Sequence, residues 1–232
     1  MQNNDINSSR RGFLGKLATG AAAFGAASLM SPLQSMAGAI NMSPKEFADA
    51  DAWFNQIKGK HRVVFDATEP NGIMPFAWPK IFLLTNAATG TPEKENTAVV
   101  VLRHDAIPYA FPDALWAKYK FGEVFKADDP KTNKPSLRNP FWKPGADDFQ
   151  VPGVGSVPIG INQLQESGVM FCACNMAITV YSAAIAQGAG LNAEEVKKDW
   201  MANVLPGIQV VPSGVWALGR AQEKNCAYIF AG

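Results

Sequence analysis

Five short apolar runs alternating with stretches of helical spacing constrain this chain more than any other feature. Residues 62–65, 97–102, 169–173, 208–211 and 227–230 read as strands, and the second is an unbroken Thr-Ala-Val-Val-Val-Leu. Helices are predicted over 75–86, about 113–125, about 176–187, from Asn192 onward, and near 215–223. Another helix precedes the first strand, because Ser43-Pro44-Lys45-Glu46 is a capping box with Phe47, Ala50, Phe54 and Ile57 at helical spacing behind it. Strands separated by helices call for right-handed crossovers and a sheet covered on both faces. The expected fold class is therefore α/β: a three-layer α/β/α domain with a mainly parallel five-stranded sheet and a flavodoxin-like architecture.

One stretch breaks the alternation. Residues 126–158 hold six prolines, at 130, 135, 140, 144, 152 and 158, so they can be neither a continuous helix nor a central strand. An insertion of this length is commonly a lid, an interface or a mobile loop, and its aromatic pair Phe141 and Trp142 suggests that part of it docks.

The amino end reads as an address. Ser9-Arg10-Arg11-Gly12-Phe13-Leu14-Gly15-Lys16 is followed by an Ala- and Gly-rich run to Met30 and by small residues that a peptidase could cut after Ala37 or Ala39. This is the pattern of a twin-arginine export signal over 1–37, handed to the twin-arginine translocase, and it implies a periplasmic or otherwise extracytoplasmic location. A retained membrane anchor is the competing reading, weakened by a run that is short and Gly-rich for a span. The division expected is thus a signal at 1–37, a helix and linker at 38–59, and an α/β domain at 60–232.

Composition narrows the function classes. With 47% apolar and 18% charged residues at a net charge of +1, the chain is not of the disordered kind. Twenty-one basic residues face 20 acidic ones, which gives no cationic excess for nucleic acid. Removing 1–37 takes away three basic residues and one acid, leaving 18 and 19, a net charge of −1. Three cysteines and two histidines cannot supply a disulfide framework or a Cys/His zinc module, and an odd count leaves one thiol unpaired within the chain. No cofactor is expected: Gly-x-Gly-x-x-Gly, Walker-A and Gly-x-Ser-x-Gly sequences are all absent.

Ligands of open parallel sheets gather at the carboxyl ends of the strands. Those ends carry Asp66, Arg103 with His104 and Asp105, Cys172 with Cys174 and Asn175, and Ser213. Cys174 stands out because it falls where a strand meets a helix, and the helix N-terminus favours a thiolate. The bland alternative is a buried, inert thiol. Cys172, two residues earlier, lies on the same side of an extended strand. It is either a disulfide partner in a strained small ring or a packed core thiol. His104 either assists proton transfer beside Cys174, binds an anion with Arg103, or simply bonds Asp105. A copper or zinc site on Cys172, Cys174 and His104 is conceivable from ligand type alone. Cys226 reads as core filler and His61 as a surface residue at the opposite edge.

The segments Gly168-Val169-Met170-Phe171-Cys172-Ala173-Cys174-Asn175-Met176, Leu205-Pro206-Gly207-Ile208-Gln209-Val210-Val211-Pro212-Ser213-Gly214-Val215 and 222–229 resemble the DsrE/DsrF-like sulfur-relay family. Val101-Leu102-Arg103-His104-Asp105-Ala106-Ile107-Pro108 resembles its exported branch, and the likeness covers roughly 60–232. The resemblance implies a DsrEFH-like α/β homo-oligomer in which Cys174 carries sulfane sulfur as a persulfide, exchanged with a donor or acceptor protein. The export signal, the second cysteine at 172 and the 126–158 insertion depart from the cytoplasmic relay subunits. On this reading Cys174 and His104 are the reacting pair, Cys172 the thiol partner, and Asn175, Arg103, Ser213 and Asp66 the ligand-binding groups, with no metal. Two other readings stay open: a non-enzymatic oligomeric module for a small ligand or metal, and a Cys-x-Cys thiol-disulfide switch.

Overall fold

A computed structural model describes residues 42–232. The expected export signal, both expected cleavage positions and the start of the 38–59 segment lie outside these described residues. Helix α1 (Pro44–Trp53) opens on the expected capping box: the Glu46 N–H donates to Ser43 Oγ and the Ser43 N–H to Glu46 Oε2 at 2.6 Å. It is followed by β1 (His61–Ala67), α2 (Met74–Ala88), β2 (Asn96–Leu102), a 3-10 segment (His104–Ala110) and α3 (Asp113–Tyr119). After the insertion come β3 (Met170–Cys174), α4 (Asn175–Ala189), α5 (Ala193–Ala202), β4 (Ile208–Val211), α6 (Gly214–Glu223) and β5 (Ala227–Phe230).

The five strands form one wholly parallel sheet in the order β4-β3-β2-β1-β5. Flavodoxin itself runs 2-1-3-4-5, so the three-layer architecture is shared and the strand order is not. The order dictates the layers. Stepping from β1 to β4 in one direction with right-handed crossovers sends every connecting helix to the same face, and the return from β4 to β5 sends α6 to the other. The two core clusters divide in that way. Val63, Phe65, Ala98, Val100, Leu102 and Phe171 face the layer of α2, α4 and α5, whereas Val64, Val99, Val101, Cys172 and Val211 face α6 and α1. β2 is buried along its whole length, as its unbroken apolar run requires.

The five strands and most helix limits fall within two residues of the sequence reading, but the first helix ends at Trp53, leaving Phe54 in a 3-10 turn and Ile57 beyond it, the helix after Asn192 stops at Ala202 short of Val204, and the one expected at 113–125 is interrupted. That helix breaks at Lys120, whose φ of 52° is left-handed, and Phe121 turns inward to meet Trp200 edge-on at 4.8 Å. The insertion forms two antiparallel hairpins, Asp128–Asp129 with Lys134–Pro135 and Gln150–Val151 with Gly155–Ser156. Phe141 is buried from it into the main core, stacked on Phe76 at 4.0 Å and on Phe149 at 4.9 Å. Trp142 is partly buried against the same cluster, so the aromatic pair does dock. Among the described residues no helix is long and apolar enough to cross a membrane.

Candidate functional site

Connections leave β1, β2 and β3 toward one face and β4 toward the other, so the switch point lies between β3 and β4 at their carboxyl ends. Cys174 pairs there with Val211, and Pro212-Ser213 follow directly. No loop separates β3 from α4. Cys174 is both the last strand residue and the N-cap of a 15-residue helix, with φ −74° and ψ 109°, and its Sγ accepts the Ala177 N–H at 3.3 Å. A sulfur in that position satisfies one of the open amide donors of the first turn and faces the positive end of the helix.

The two neighbouring thiols differ in surroundings. Cys172 is 0% exposed among Val64, Val101, Val211, Ala217 and Ala221, and burial pushes its thiol far up from the ordinary value. Cys174 is buried at 6% exposure and its contacts belong to the cluster on the other face, so the two thiols do not share the side expected of residues two apart in a strand. All three cysteines are free thiols, and Cys226 is buried as expected, its thiol pushed up to about 11 by desolvation.

Arg103 and Asp66 form a clamp. Nε donates to Oδ1 at 2.6 Å and Nη2 to Oδ2 at 2.9 Å, while the Tyr228 hydroxyl donates to Oδ2 at 2.8 Å. The hydrogen bond to Asp66 is the main reason the Arg103 guanidinium is held above its ordinary value, and the field of Cys174 adds to it. The alkyl part of Arg103 crosses Gly214 so closely that a Cβ there would lie 2.5 Å from Arg103 Cδ. Asp66 is thus a buried anchor for Arg103. Ser213 caps α6, its Oγ accepting the Trp216 N–H at 3.2 Å, so this hydroxyl too has a structural duty. Asn175 is buried as the first residue of α4, and its carbonyl accepts the Thr179 hydroxyl at 2.9 Å.

His104 begins the 3-10 segment with a left-handed φ of 49° and a side chain 62% exposed. A non-glycine in that conformation is uncommon and is found disproportionately at functional edges. Its Nδ1 lies 3.4 Å from Asp105 Oδ1, and its ring meets Tyr181 edge-on at 6.0 Å. The Tyr181 hydroxyl donates to Asp105 Oδ1, and burial together with that bond pushes this phenol well above its ordinary value. A charge on Cys174 is felt at Tyr181 as well as at Arg103 and Cys172. Tyr181 and Tyr228 were not among the sequence-derived site residues. Tyr181 could have been found, since it stands seven positions after Cys174 and two turns of helix return to the same face. Tyr228 could not, since its role depends on β5 pairing beside β1.

Among the described residues no group of three or more His, Cys, Asp or Glu side chains is arranged to hold a metal ion, so Cys172, Cys174 and His104 do not form the copper or zinc site conceivable from their types. No family model matches the chain, and no curated protein matches it. A solved structure of a protein of unknown function from Methanobacterium thermoautotrophicum aligns with 74% of this chain and 99% of its own, at 18% identity and a TM-score of 0.38. A likeness at that level carries no argument about fold or activity.

Proposed function

We propose that the chain is an exported, DsrE/DsrF-like sulfur carrier that holds sulfane sulfur on Cys174. The observation that carries this reading is the position of Cys174 Sγ at the switch point, capping α4 and accepting the Ala177 N–H. A carrier needs one thiol that retains solvent access and a surrounding field that welcomes negative charge. Cys174 is buried but keeps 6% exposure where Cys172 has none, and the Arg103 guanidinium lies within electrostatic range.

Loading balances without an outside oxidant. The Cys174 thiolate attacks a sulfane sulfur of a polysulfide, the S–S bond behind that sulfur breaks, and the shortened polysulfide leaves with the electron pair. The product is a cysteine persulfide whose terminal sulfur bears the charge. The first turn of α4 stabilises it, and the Arg103 guanidinium and the Tyr181 phenol lie within range of its charge. Release runs in reverse onto the thiolate of an acceptor. The twin-arginine signal directs this carrier outside the cytoplasm.

Polysulfide treatment of the full chain, followed by peptide mass measurement, tests the reading. The Cys174 peptide should gain the mass of one sulfur atom in the wild type and in Cys172→Ser, and not in Cys174→Ser. An unmodified Cys174 peptide in the wild type defeats the proposal.

A further inference from the structure

The strand order that makes the switch point also leaves one strand bare. Among the described residues all crossovers run over β1 to β4, so no connecting helix passes over either face of β5, and β1 is its one partner in the sheet. All four residues of β5 are exposed. Ile229 pairs with Phe65 and shares the α2 face, while Tyr228 shares the opposite face with Val64. Between α2 and β5 runs a groove of about 370 Å³ lined by Phe65, Trp78, Ile81, Phe82, Ile229 and Phe230, without a polar side chain among them.

We infer that this surface is a homodimer interface in which β5 of one copy pairs antiparallel with β5 of a second copy about a two-fold axis. An open strand edge offers a row of unpaired N–H and C=O groups that only another strand satisfies fully. A second copy brings an edge with the same unmet bonds and the same bare faces, so one contact completes both, as an isologous interface requires. With the axis perpendicular to the sheet, the α2 layers of both copies lie on the same side. Each α2 then closes over the partner's groove, and two five-stranded sheets become one of ten strands.

The size is right for such a contact. Ile81, Tyr228, Ile229 and Phe230 are between 39% and 53% exposed. At about 200 Å² per side chain they present roughly 380 Å² of largely apolar surface, close to half of the ~800 Å² that each partner of a stable dimer buries. The backbone edge and the rims of Trp78 and Phe82 add to it. A groove without charged residues matches the charge-depleted centre of a homodimer interface. Tyr228 lies on this strand and bonds Asp66, so the second copy also shields the anchor of Arg103.

Light scattering on the full chain at micromolar concentration tests the inference. The wild type should give the mass of two chains. Ile81→Glu and Ile229→Lys should each weaken association at least about tenfold and give monomers with an unchanged circular-dichroism spectrum. Ile81 projects from a helix and is half exposed, so its substitution reports association even if the strand variant folds poorly. A wild type of any other mass, or an Ile81→Glu variant that stays a dimer, overturns the inference. Sulfur loading is not part of this readout, so the dimer and the carrier reading stand or fall separately.

Discussion

Arg103 holds Asp66 through two parallel hydrogen bonds, Nε to Oδ1 at 2.6 Å and Nη2 to Oδ2 at 2.9 Å, joining the ends of β1 and β2. The carboxylate is buried while the guanidinium keeps a quarter of its side chain in solvent. Removing the two partners therefore has unequal consequences. Arg103→Leu strands a buried charge and should cost about 3 kcal/mol, whereas Asp66→Asn leaves a cation that water reaches and should cost about 1 to 2 kcal/mol. Denaturant unfolding of the two variants gives this order, and an equal loss would mean that the pair does not act as a buried anchor.

The two cysteines of β3 should respond in opposite ways to serine. At 174 serine is a favoured N-cap, so Cys174→Ser should stay within about 0.5 kcal/mol of the wild type. At 172 it places a hydroxyl among valines and alanines and should cost about 1 to 3 kcal/mol. Thermal unfolding of the two variants distinguishes a capping thiol from a packed one.

Alkaline pH should weaken the fold through its buried thiols. Cys226 has its thiol pushed up to about 11 from 9.0 by burial. A thiol that ionises less readily when folded contributes stability that is complete below the unfolded value and is lost as pH rises through the folded one. Burial acts on Cys172 in the same direction. The unfolding midpoint of the wild type should therefore fall more between about pH 9 and 11 than that of Cys226→Ala. Parallel profiles would show that Cys226 carries none of this dependence.

The Pro-rich insertion is a structural part of the domain through Phe141. Phe141→Ala removes a buried ring stacked on Phe76 and Phe149 and should cost about 3 kcal/mol. Arg138, which bonds Asp129 at 2.9 Å and faces Asp148 at 3.7 Å, ties the two hairpins together. Limited proteolysis within 126–158 should accelerate in Arg138→Ala, while unchanged cleavage would mean that the remaining ties, among them Phe141, the buried Asn139 and the Lys131–Asp148 ion pair, hold the segment without it.

The α/β layering was legible because it depends on local periodicity: the valine run of β2 and the capping box of α1 declare themselves residue by residue. So was the place of Cys174, since a strand passing directly into a helix leaves its mark in the sequence. The strand order was not legible, and what depends on it was not either. Asp66 and Ser213 read as ligand groups because they end strands, yet Arg103 and Tyr228 occupy the first and the amide of Trp216 the second. The break at Lys120 was invisible for a similar reason, since the inward turn of Phe121 toward Trp200 is a tertiary contact.

Cyanide-releasable sulfur reports directly on a persulfide at Cys174. After polysulfide loading and removal of excess reagent, cyanide should attack the outer sulfur of the Cys174 persulfide, take it as thiocyanate and return the thiolate. The wild type and Cys172→Ser should each release about one thiocyanate per chain, and Cys174→Ser none above background. An equal yield from Cys174→Ser and the wild type would contradict a carrier role for Cys174.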